Sequence, residues 1–295
     1  MDLERMKGKR LFFFVKLAVA TIILWLIFRR IDLQEVLHSF KQIKLTVLAI
    51  LVITAALKLY IQYLNWRYCL SINKEYQPKR YEVVKSFFIG TALRFLIPGG
   101  HGTFGKAYYL SNDKKASLVS VGIEKVLQTW IALLSGSFAA AFFFQKYSLT
   151  LRLTVIIVAG ILPWLFYFAS KIFKNHQVES YSTNYRKIIL PIAGQQAIFI
   201  LLTVVQYYVL ISQFFRINFI DTLIAVPLIL LGNVIPISYA GLGVRESFAI
   251  HLLGHYNISS EVAVTTSLLV FLLNSVLPAL GGVWLIVSAK KESNS

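Results

Sequence analysis

The chain has 295 residues, of which 57% are hydrophobic and only 15% are charged, and its mean hydropathy is +0.67. Soluble domains carry about 25% charged residues, so the composition excludes an ordinary soluble protein and predicts an all-α protein that crosses a membrane several times. The net charge of +17 does not indicate nucleic-acid binding, because most basic residues lie in short loops between apolar segments, where they set orientation and meet anionic lipid headgroups.

Six apolar runs are long enough to cross a bilayer, which takes about 20 apolar residues. The first is predicted to be an uncleaved span, because its apolar run continues past the cleavage-like Ala18-Val19-Ala20. Ser259 or Ser260 is expected to cap the last helix. In chain order the predicted spans are Leu11–Phe28, Leu45–Leu64, Ser117–Phe144, Leu153–Ser170, Ile188–Ser212 and Glu261–Ser288.

Two further apolar runs are too short to cross. Ser86–Ile97 precedes Pro98 and a glycine cluster, and Leu223–Ile235 precedes Pro236. A glycine lies seven residues after each proline, and a brief helix after the second break is expected to end at Gly254. Runs of about 10 to 14 apolar residues more often re-enter the membrane or stay buried. The sequence therefore predicts two re-entrant helical hairpins, for a total of eight hydrophobic segments.

Basic residues predict the orientation of the chain. With the N-terminus inside, the cytoplasmic loops hold 18 Lys and Arg residues and the outer loops hold 8, so both termini are predicted to be cytoplasmic and the protein to lie in the cell (inner) membrane. The first hairpin then enters from the cytoplasm and the second from the opposite side. Such inverted repeats share a site near the midplane. We expect one membrane domain, 1–295, with halves of about 11–144 and 153–288.

Charged residues inside the predicted membrane region are the first candidates for a site. Burying a charge in a membrane is costly, so such residues usually face one another or a water-filled cavity. Ion pairs that only brace the hairpins are the alternative, and Glu246 could instead complement its helix N-terminus. Lys58 lies near the end of its predicted span and is expected to extend to the interface. The candidates are Arg94, Glu124, Lys125, Arg245 and Glu246.

The glycine-rich breaks could hold an anion, since converging backbone amides and a helix start are locally positive. Gly100–Lys106 has the spacing of a Walker phosphate loop. Ala107, however, stands where that motif needs Ser or Thr, and an apolar helix precedes the loop in place of a strand. Nucleotide binding is therefore not expected. Close helix packing is an equally simple reason for the glycines.

The sequence contains no convincing metal, cofactor or catalytic motif. His251 and His255 are four residues apart, but no ligand cluster accompanies them. A single cysteine, Cys69, excludes an internal disulfide. The tryptophans near span ends are predicted to be interfacial anchors; they are Trp66, Trp130, Trp164 and Trp284.

Three motifs resemble those of the membrane domain of the lysylphosphatidylglycerol synthase and flippase family, over about Leu11 to Ser288. Pro236 to Glu246 matches the motif P-x-S-x-x-G-x-G-x-R-E fully. Gly102–Lys106, which follows an arginine and a proline–glycine turn, occupies the place of G-E-x-x-R. Glu124–Gln128 occupies the place of E-R-x-x-D.

The chain departs from the family pattern at four positions. Thr103 and Gln128 stand where the motifs have acids, and Lys106 and Lys125 replace arginines. Positive charge is kept while two carboxylates are lost, which argues against roles that need those acids, such as proton coupling or binding a cationic headgroup. Only seven residues follow Ser288, so the resemblance implies movement of a lipid or lipid-linked substrate without the soluble aminoacyl-transferase of bifunctional members.

We therefore predict a flippase-like inner-membrane protein that binds or translocates an anionic lipid or lipid-linked headgroup in a midplane cavity between the hairpins. Arg94, Lys106 and Arg245 would meet the phosphate, while Glu124 and Glu246 would orient these cations. A membrane-embedded enzyme that modifies lipids or glycolipids, with Glu124 as its base, and a structural partner of a separate transferase are the alternatives. The predicted substrate-binding residues are Arg94, Pro98, Gly99, Gly102, Lys106, Glu124, Lys125, Pro236, Ser238, Gly241, Gly243, Arg245 and Glu246.

Overall fold

The computed structural model of the chain describes residues 34, 38, 41–73, 76–96, 98–172, 176–232, 234 and 241–292. Within these ranges the regular structure is entirely helical, which confirms the prediction of an all-α polytopic membrane protein. In chain order the elements are α1 Leu45–Leu70, α2 Arg80–Leu96, a 3₁₀ helix Pro98–Tyr109, α3 Lys114–Phe143, α4 Leu149–Ile172, α5 His176–Ile211, α6 Phe219–Leu231, α7 Val244–Gly254, α8 Ser260–Phe271, a π turn Leu272–Val276 and α9 Leu277–Glu292.

Four helices of the described part are long and apolar enough to cross a membrane. They are Leu45–Leu70, Lys114–Phe143, Asn184–Ile211 and Ser260–Ser288, and they correspond to the second, third, fifth and sixth predicted spans. The fourth predicted span lies in α4, whose apolar part Leu149–Leu165 is shorter. The first predicted span, Leu11–Phe28, lies outside the described residues.

The ends of the helices follow the local sequence. The Ser259 side chain accepts a hydrogen bond from the backbone N–H of Val262, so Ser259 is the N-cap of α8. Helix α7 ends at Gly254, as predicted. Helices α8 and α9 are continuous through the π turn, which adds one residue to the helical repeat and shifts the side chains that follow it.

At both predicted breaks, two short helices pack against each other. In the first hairpin the 3₁₀ helix lies along α2, where Gly90 leaves room for the side chain of Lys106. In the second hairpin α6 packs on α7, and a Cβ atom at Gly232 would lie 3.6 Å from the Cα atom of Arg245. The 13 residues of α6 span about 20 Å, less than the roughly 30 Å hydrocarbon core. The side from which each hairpin enters, and the inverted repeat, stay predictions.

Two apolar clusters occupy opposite ends of α1 and α5. One contains Leu51 of α1 and Tyr207 of α5 and packs against the second hairpin. The other contains Trp66 of α1 and Ile192 of α5 and packs against the first hairpin. The residues of α1 and α5 between these clusters are largely polar on their inner face, so the fold leaves a polar layer between two apolar ones.

Close contact between α9 and α2 depends on Gly282. A Cβ atom at this position would overlap the carbonyl group of Phe88 and lie 2.8 Å from the Cβ atom of Ala92. We expect Gly282→Ala to separate the helices, to cost roughly 1–3 kcal/mol through overpacking, and to lower the midpoint of thermal unfolding of the purified protein in detergent.

Gly281→Ala is the matched control for this substitution. Its Cβ atom would lie 3.7 Å from the Phe88 ring, which is ordinary contact, and alanine favours a helix over glycine. The control should leave the midpoint unchanged or raise it. Equal losses in the two variants would contradict the close approach at Gly282.

Candidate functional site

A cavity of about 560 Å³ lies between the two hairpins and helices α1, α3 and α5. This volume is within the usual range for small-molecule sites. The first hairpin contributes Arg94 and Lys106 to its wall, and the second contributes Arg245. The polar residues of the wall are Lys58, Gln62, Thr91, Arg94, Thr103, Lys106, Glu124, Lys125, Gln128, Thr129, Gln196, Thr203, Tyr207, Arg245, Asn274 and Ser275.

The wall carries a large excess of positive charge. Among the described lining residues, five are lysine or arginine, whereas Glu124 is the single carboxylate. Arg245 repels Lys58 and Arg94, and Arg94 repels Lys125. A cavity with this charge favours an anionic occupant.

Lys106 is held in place by two neighbours. Its ammonium group forms a buried ion pair with the carboxylate of Glu124 and lies 3.7 Å from the centre of the Trp66 ring. The indole N–H of Trp66 donates to the hydroxyl group of Ser86 at 2.9 Å, which fixes the ring. The Glu124 carboxylate also accepts a hydrogen bond from the amide of Gln128 at 3.4 Å. This pair ties the first hairpin to α3.

Arg245 is held in a similar way at the start of α7. Its guanidinium group pairs with the carboxylate of Glu246, donates to the Ser267 hydroxyl at 2.8 Å and lies over the Phe271 ring at 4.5 Å. The other carboxylate oxygen of Glu246 accepts the backbone N–H of Gly243 at 2.7 Å. Glu246 therefore both caps its helix and neutralises Arg245, so the pair ties the second hairpin to α8.

The glycines of the second hairpin have a conformational role. Gly241 and Gly243 have φ angles of 79° and 83°, a left-handed conformation that side chains with a Cβ atom rarely adopt. They turn the chain immediately before α7 and so place Arg245 and Glu246 at the first turn of that helix.

Three cations of the wall have no carboxylate of the described part within ion-pairing distance. Lys58 donates to the Thr203 hydroxyl at 2.7 Å and to the Gln206 carbonyl at 3.1 Å. Lys125 donates to the Gln128 carbonyl at 3.2 Å. Arg94 lines the cavity with an exposed side chain. These three charges are available to a ligand.

The prediction that Lys58 extends to the interface is wrong. Helix α1 continues to Leu70, so Lys58 lies near its middle and cannot reach a helix end. Its side chain is only 3% exposed. The assignment of Trp66 and Trp130 as interfacial anchors is also wrong, because both are buried and their indole N–H groups donate to protein groups.

The structure brings five of the predicted site residues together in the wall: Arg94, Lys106, Glu124, Lys125 and Arg245. Glu246 and Gly243 support Arg245 from behind, and Gly241 is buried in the preceding turn. Pro98, Gly99 and Gly102 belong to the 3₁₀ helix. Pro236 and Ser238 lie outside the described residues.

Sequence reasoning missed the neutral polar part of the wall. Residues of this part that the sequence did not single out include Gln62, Gln196, Thr203 and Asn274. Polar residues within apolar runs, like charged ones, are costly in a membrane and usually face a cavity or one another. Applied to amides, this principle identifies Gln196 and Asn274 as candidates from the sequence.

The Walker-like Gly100–Lys106 follows helix α2, and the Lys106 side chain is turned toward Glu124. The ring of His255 packs 5.1 Å from that of Phe143.

The fold and the cavity define a multi-pass helical membrane protein with a cationic internal site. The family model of the lysylphosphatidylglycerol synthase TM region matches residues 13–282, and the chain belongs to this family. The resemblance drawn from the three motifs is thereby confirmed, and the protein is a membrane protein of a lipid-related family. A comparison with curated proteins gives no match.

Breaking the Lys106–Glu124 pair from one side is expected to destabilise the protein. Loss of one partner leaves an uncompensated buried charge, which costs roughly 3–5 kcal/mol. Lys106→Met and Glu124→Gln should each lower the thermal midpoint in detergent, and the double variant should recover part of the loss because neither charge remains. Lys115→Met, on an exposed residue, is the control. Strictly additive losses in the double variant would contradict a coupled pair.

Proposed function

We propose that this protein is a flippase-like transporter that admits the anionic headgroup of a lipid or lipid-linked substrate to the cavity and moves it across the inner membrane. The observation that carries this proposal is the set of three cations, Lys58, Arg94 and Lys125, that face the cavity without a carboxylate partner in the described part of the chain.

Repulsion among the cations of the wall favours binding of an anionic group. Two like charges roughly 8 Å apart repel by about 2 kcal/mol at an effective dielectric constant of about 20. Intramembrane charges are retained where they serve a substrate or an ion path. A phosphate group would relieve the repulsion and accept hydrogen bonds from several cations at once. Arginine suits this role because its planar guanidinium group can bind phosphate through two parallel hydrogen bonds.

The cations divide into two groups in this proposal. Lys106 and Arg245 are already paired with Glu124 and Glu246. The first pair joins the 3₁₀ helix to α3, whereas the second lies within α7 and is joined to α8 through the hydroxyl group of Ser267. Both cations set the position of the hairpins and add to the positive field. Arg94, Lys125 and Lys58 are the groups that would contact the phosphate. Arg94 is the best placed of the three, because its side chain is exposed in the cavity.

The position of the cavity suits alternating access. It lies between two apolar clusters, each of which packs one hairpin against one end of α1 and α5. In transporters with inverted repeats, two related elements move around a fixed central site. We propose the same arrangement here, with one membrane domain built from two halves of opposite orientation and both termini in the cytoplasm.

An enzymatic role for Glu124 is less well supported. A general base needs a free lone pair directed at its substrate, and this carboxylate already accepts from Lys106 and Gln128. The charged cavity therefore favours binding and transport of a lipid over its chemical modification.

Arg94→Ala is the sharpest test, because no ion pair or hydrogen bond within the described structure depends on this side chain. Loss of a charge-assisted hydrogen bond costs about 1.5–3 kcal/mol, so we expect translocation to fall by about tenfold or more. The assay follows a fluorescent anionic phospholipid in proteoliposomes, with an external reductant that bleaches the outer leaflet. Arg186→Ala, an exposed arginine away from the cavity, should retain wild-type activity.

Different outcomes separate the candidate functions. Equal translocation by wild type and Arg94→Ala would overturn transport through this cavity. Conversion of the labelled lipid into a new product would indicate an enzyme. Binding of a separate transferase that survives charge substitutions in the wall, without any lipid movement, would indicate a structural partner.

A further inference from the structure

Four carboxamide side chains line the cavity in addition to the cations. They come from four different elements: Gln62 from α1, Gln128 from α3, Gln196 from α5 and Asn274 from the π turn. Binding of a phosphate group does not need these neutral groups. A carboxamide both donates and accepts hydrogen bonds, which suits hydroxyl groups.

Gln196 and Thr103 of this wall have hydrogen-bonding capacity that the described protein does not use. The Nε2 atom of Gln196 and the hydroxyl group of Thr103 are buried without a hydrogen-bond partner, and these residues are only 4% and 6% exposed. Buried polar groups nearly always have partners. Since both residues line the cavity, a polar occupant can supply the missing bonds.

The other amides are held in place by their neighbours. Gln128 donates to Gln62 at 2.8 Å and accepts from Lys125 at 3.2 Å. Asn274 exchanges two hydrogen bonds with Gln206, at 2.8 and 3.3 Å. The π turn puts Asn274 in register with Gln206, and Gln206 in turn accepts from Lys58. The amides and the cations thus form one connected wall.

In the described part of the chain, the carboxylates in and behind the wall already have partners within the protein. The carboxylate of Glu124 is engaged by Lys106 and Gln128, and the carboxylate of Glu246 is engaged by Arg245, Ser267 and the backbone of Gly243. An ammonium group in the cavity would therefore meet lysine and arginine side chains that repel it, and, among the described residues, only a carboxylate that is already paired.

We infer that the cavity selects a phosphate ester whose headgroup carries hydroxyl groups, such as a glycerol, inositol or sugar phosphate, and discriminates against headgroups with an ammonium group. The cations hold the phosphate, while Gln196 and Thr103 bind hydroxyl groups. Gln128 sets the charge selectivity, because it is the neutral residue between Lys125 and Glu124. This inference rests on the proposed function and specifies its substrate class.

The test measures the affinity of the purified full chain for four soluble probes by titration calorimetry. Dihexanoyl phosphatidylglycerol has a phosphate and hydroxyl groups, dihexanoyl phosphatidic acid has the phosphate without headgroup hydroxyls, and dihexanoyl phosphatidylethanolamine has an ammonium group. Glycerol 3-phosphate has the headgroup chemistry without acyl chains. We expect the phosphatidylglycerol probe to bind about tenfold tighter than phosphatidic acid and at least about tenfold tighter than phosphatidylethanolamine, as lost hydrogen bonds of this kind predict.

Two variants assign the selectivity to residues. Gln196→Leu should lower the affinity for the phosphatidylglycerol probe by about fivefold to tenfold and leave the affinity for phosphatidic acid unchanged. Gln195→Leu, at the preceding residue of α5, which does not line the cavity, should alter neither. Gln128→Glu replaces the side-chain amide by a carboxylate and so adds a negative charge. It should strengthen phosphatidylethanolamine binding and weaken phosphatidylglycerol binding. Because the expected effect on phosphatidylethanolamine is a gain of binding, a loss of protein stability in this variant cannot produce it.

Failure of the proposed function and failure of the headgroup inference give different results in this experiment. If no probe binds the wild type, the proposed function falls and the inference falls with it. If phosphatidic acid and phosphatidylglycerol bind equally, or phosphatidylethanolamine binds as tightly as phosphatidylglycerol, anion binding survives and the headgroup inference is overturned. If glycerol 3-phosphate binds as tightly as the lipid probe, the headgroup chemistry is confirmed but the substrate is a soluble ester, and the lipid part of the proposed function is overturned.

Discussion

A positive charge inside a membrane protein needs compensation, and the arrangement of this cavity follows from how that need is met. Two of the five cations in the wall are neutralised within the protein, Lys106 by Glu124 and Arg245 by Glu246. The other three have no carboxylate within ion-pairing distance in the described structure; Lys58 donates to Thr203 and Gln206 and lies 4.5 Å from the centre of the Phe199 ring, and Lys125 donates to Gln128. Desolvating a charge costs several kcal/mol even after relaxation, and this cost supports the proposal that the three uncompensated cations bind an anion that arrives from outside.

The internally paired cations give the hairpins their rigidity. Each pair lies at a break in the helical structure. The Lys106–Glu124 pair connects the 3₁₀ helix to α3, and the Arg245–Glu246 pair at the start of α7 is connected to α8 through the Ser267 hydroxyl. Buried ion pairs rarely add net stability, but breaking one from a single side is costly. They therefore fix the geometry of the wall while the unpaired cations remain available.

The sequence predicted the class of fold, and the charged residues that it singled out line one cavity, because both features depend on local composition. Apolar runs define the long helices, and Arg94, Glu124 and Arg245 are conspicuous as charges within such runs. Lys58 was misplaced because the predicted end of its helix came six residues early, at Leu64 in place of Leu70. The amides escaped notice because a neutral side chain is informative only once the helices that carry it are seen to face one cavity.

The most direct measurement is the identity of the lipid that remains bound to the protein after extraction of its native membrane in a mild detergent, determined by native mass spectrometry with lipid analysis. The uncompensated cations predict retention of an anionic phosphate lipid, enriched over its share in the surrounding membrane, and loss of that enrichment in Arg94→Ala with Arg186→Ala unaffected. Retained lipids whose composition matches the bulk membrane, in the wild type as in Arg94→Ala, would contradict a headgroup site in this cavity.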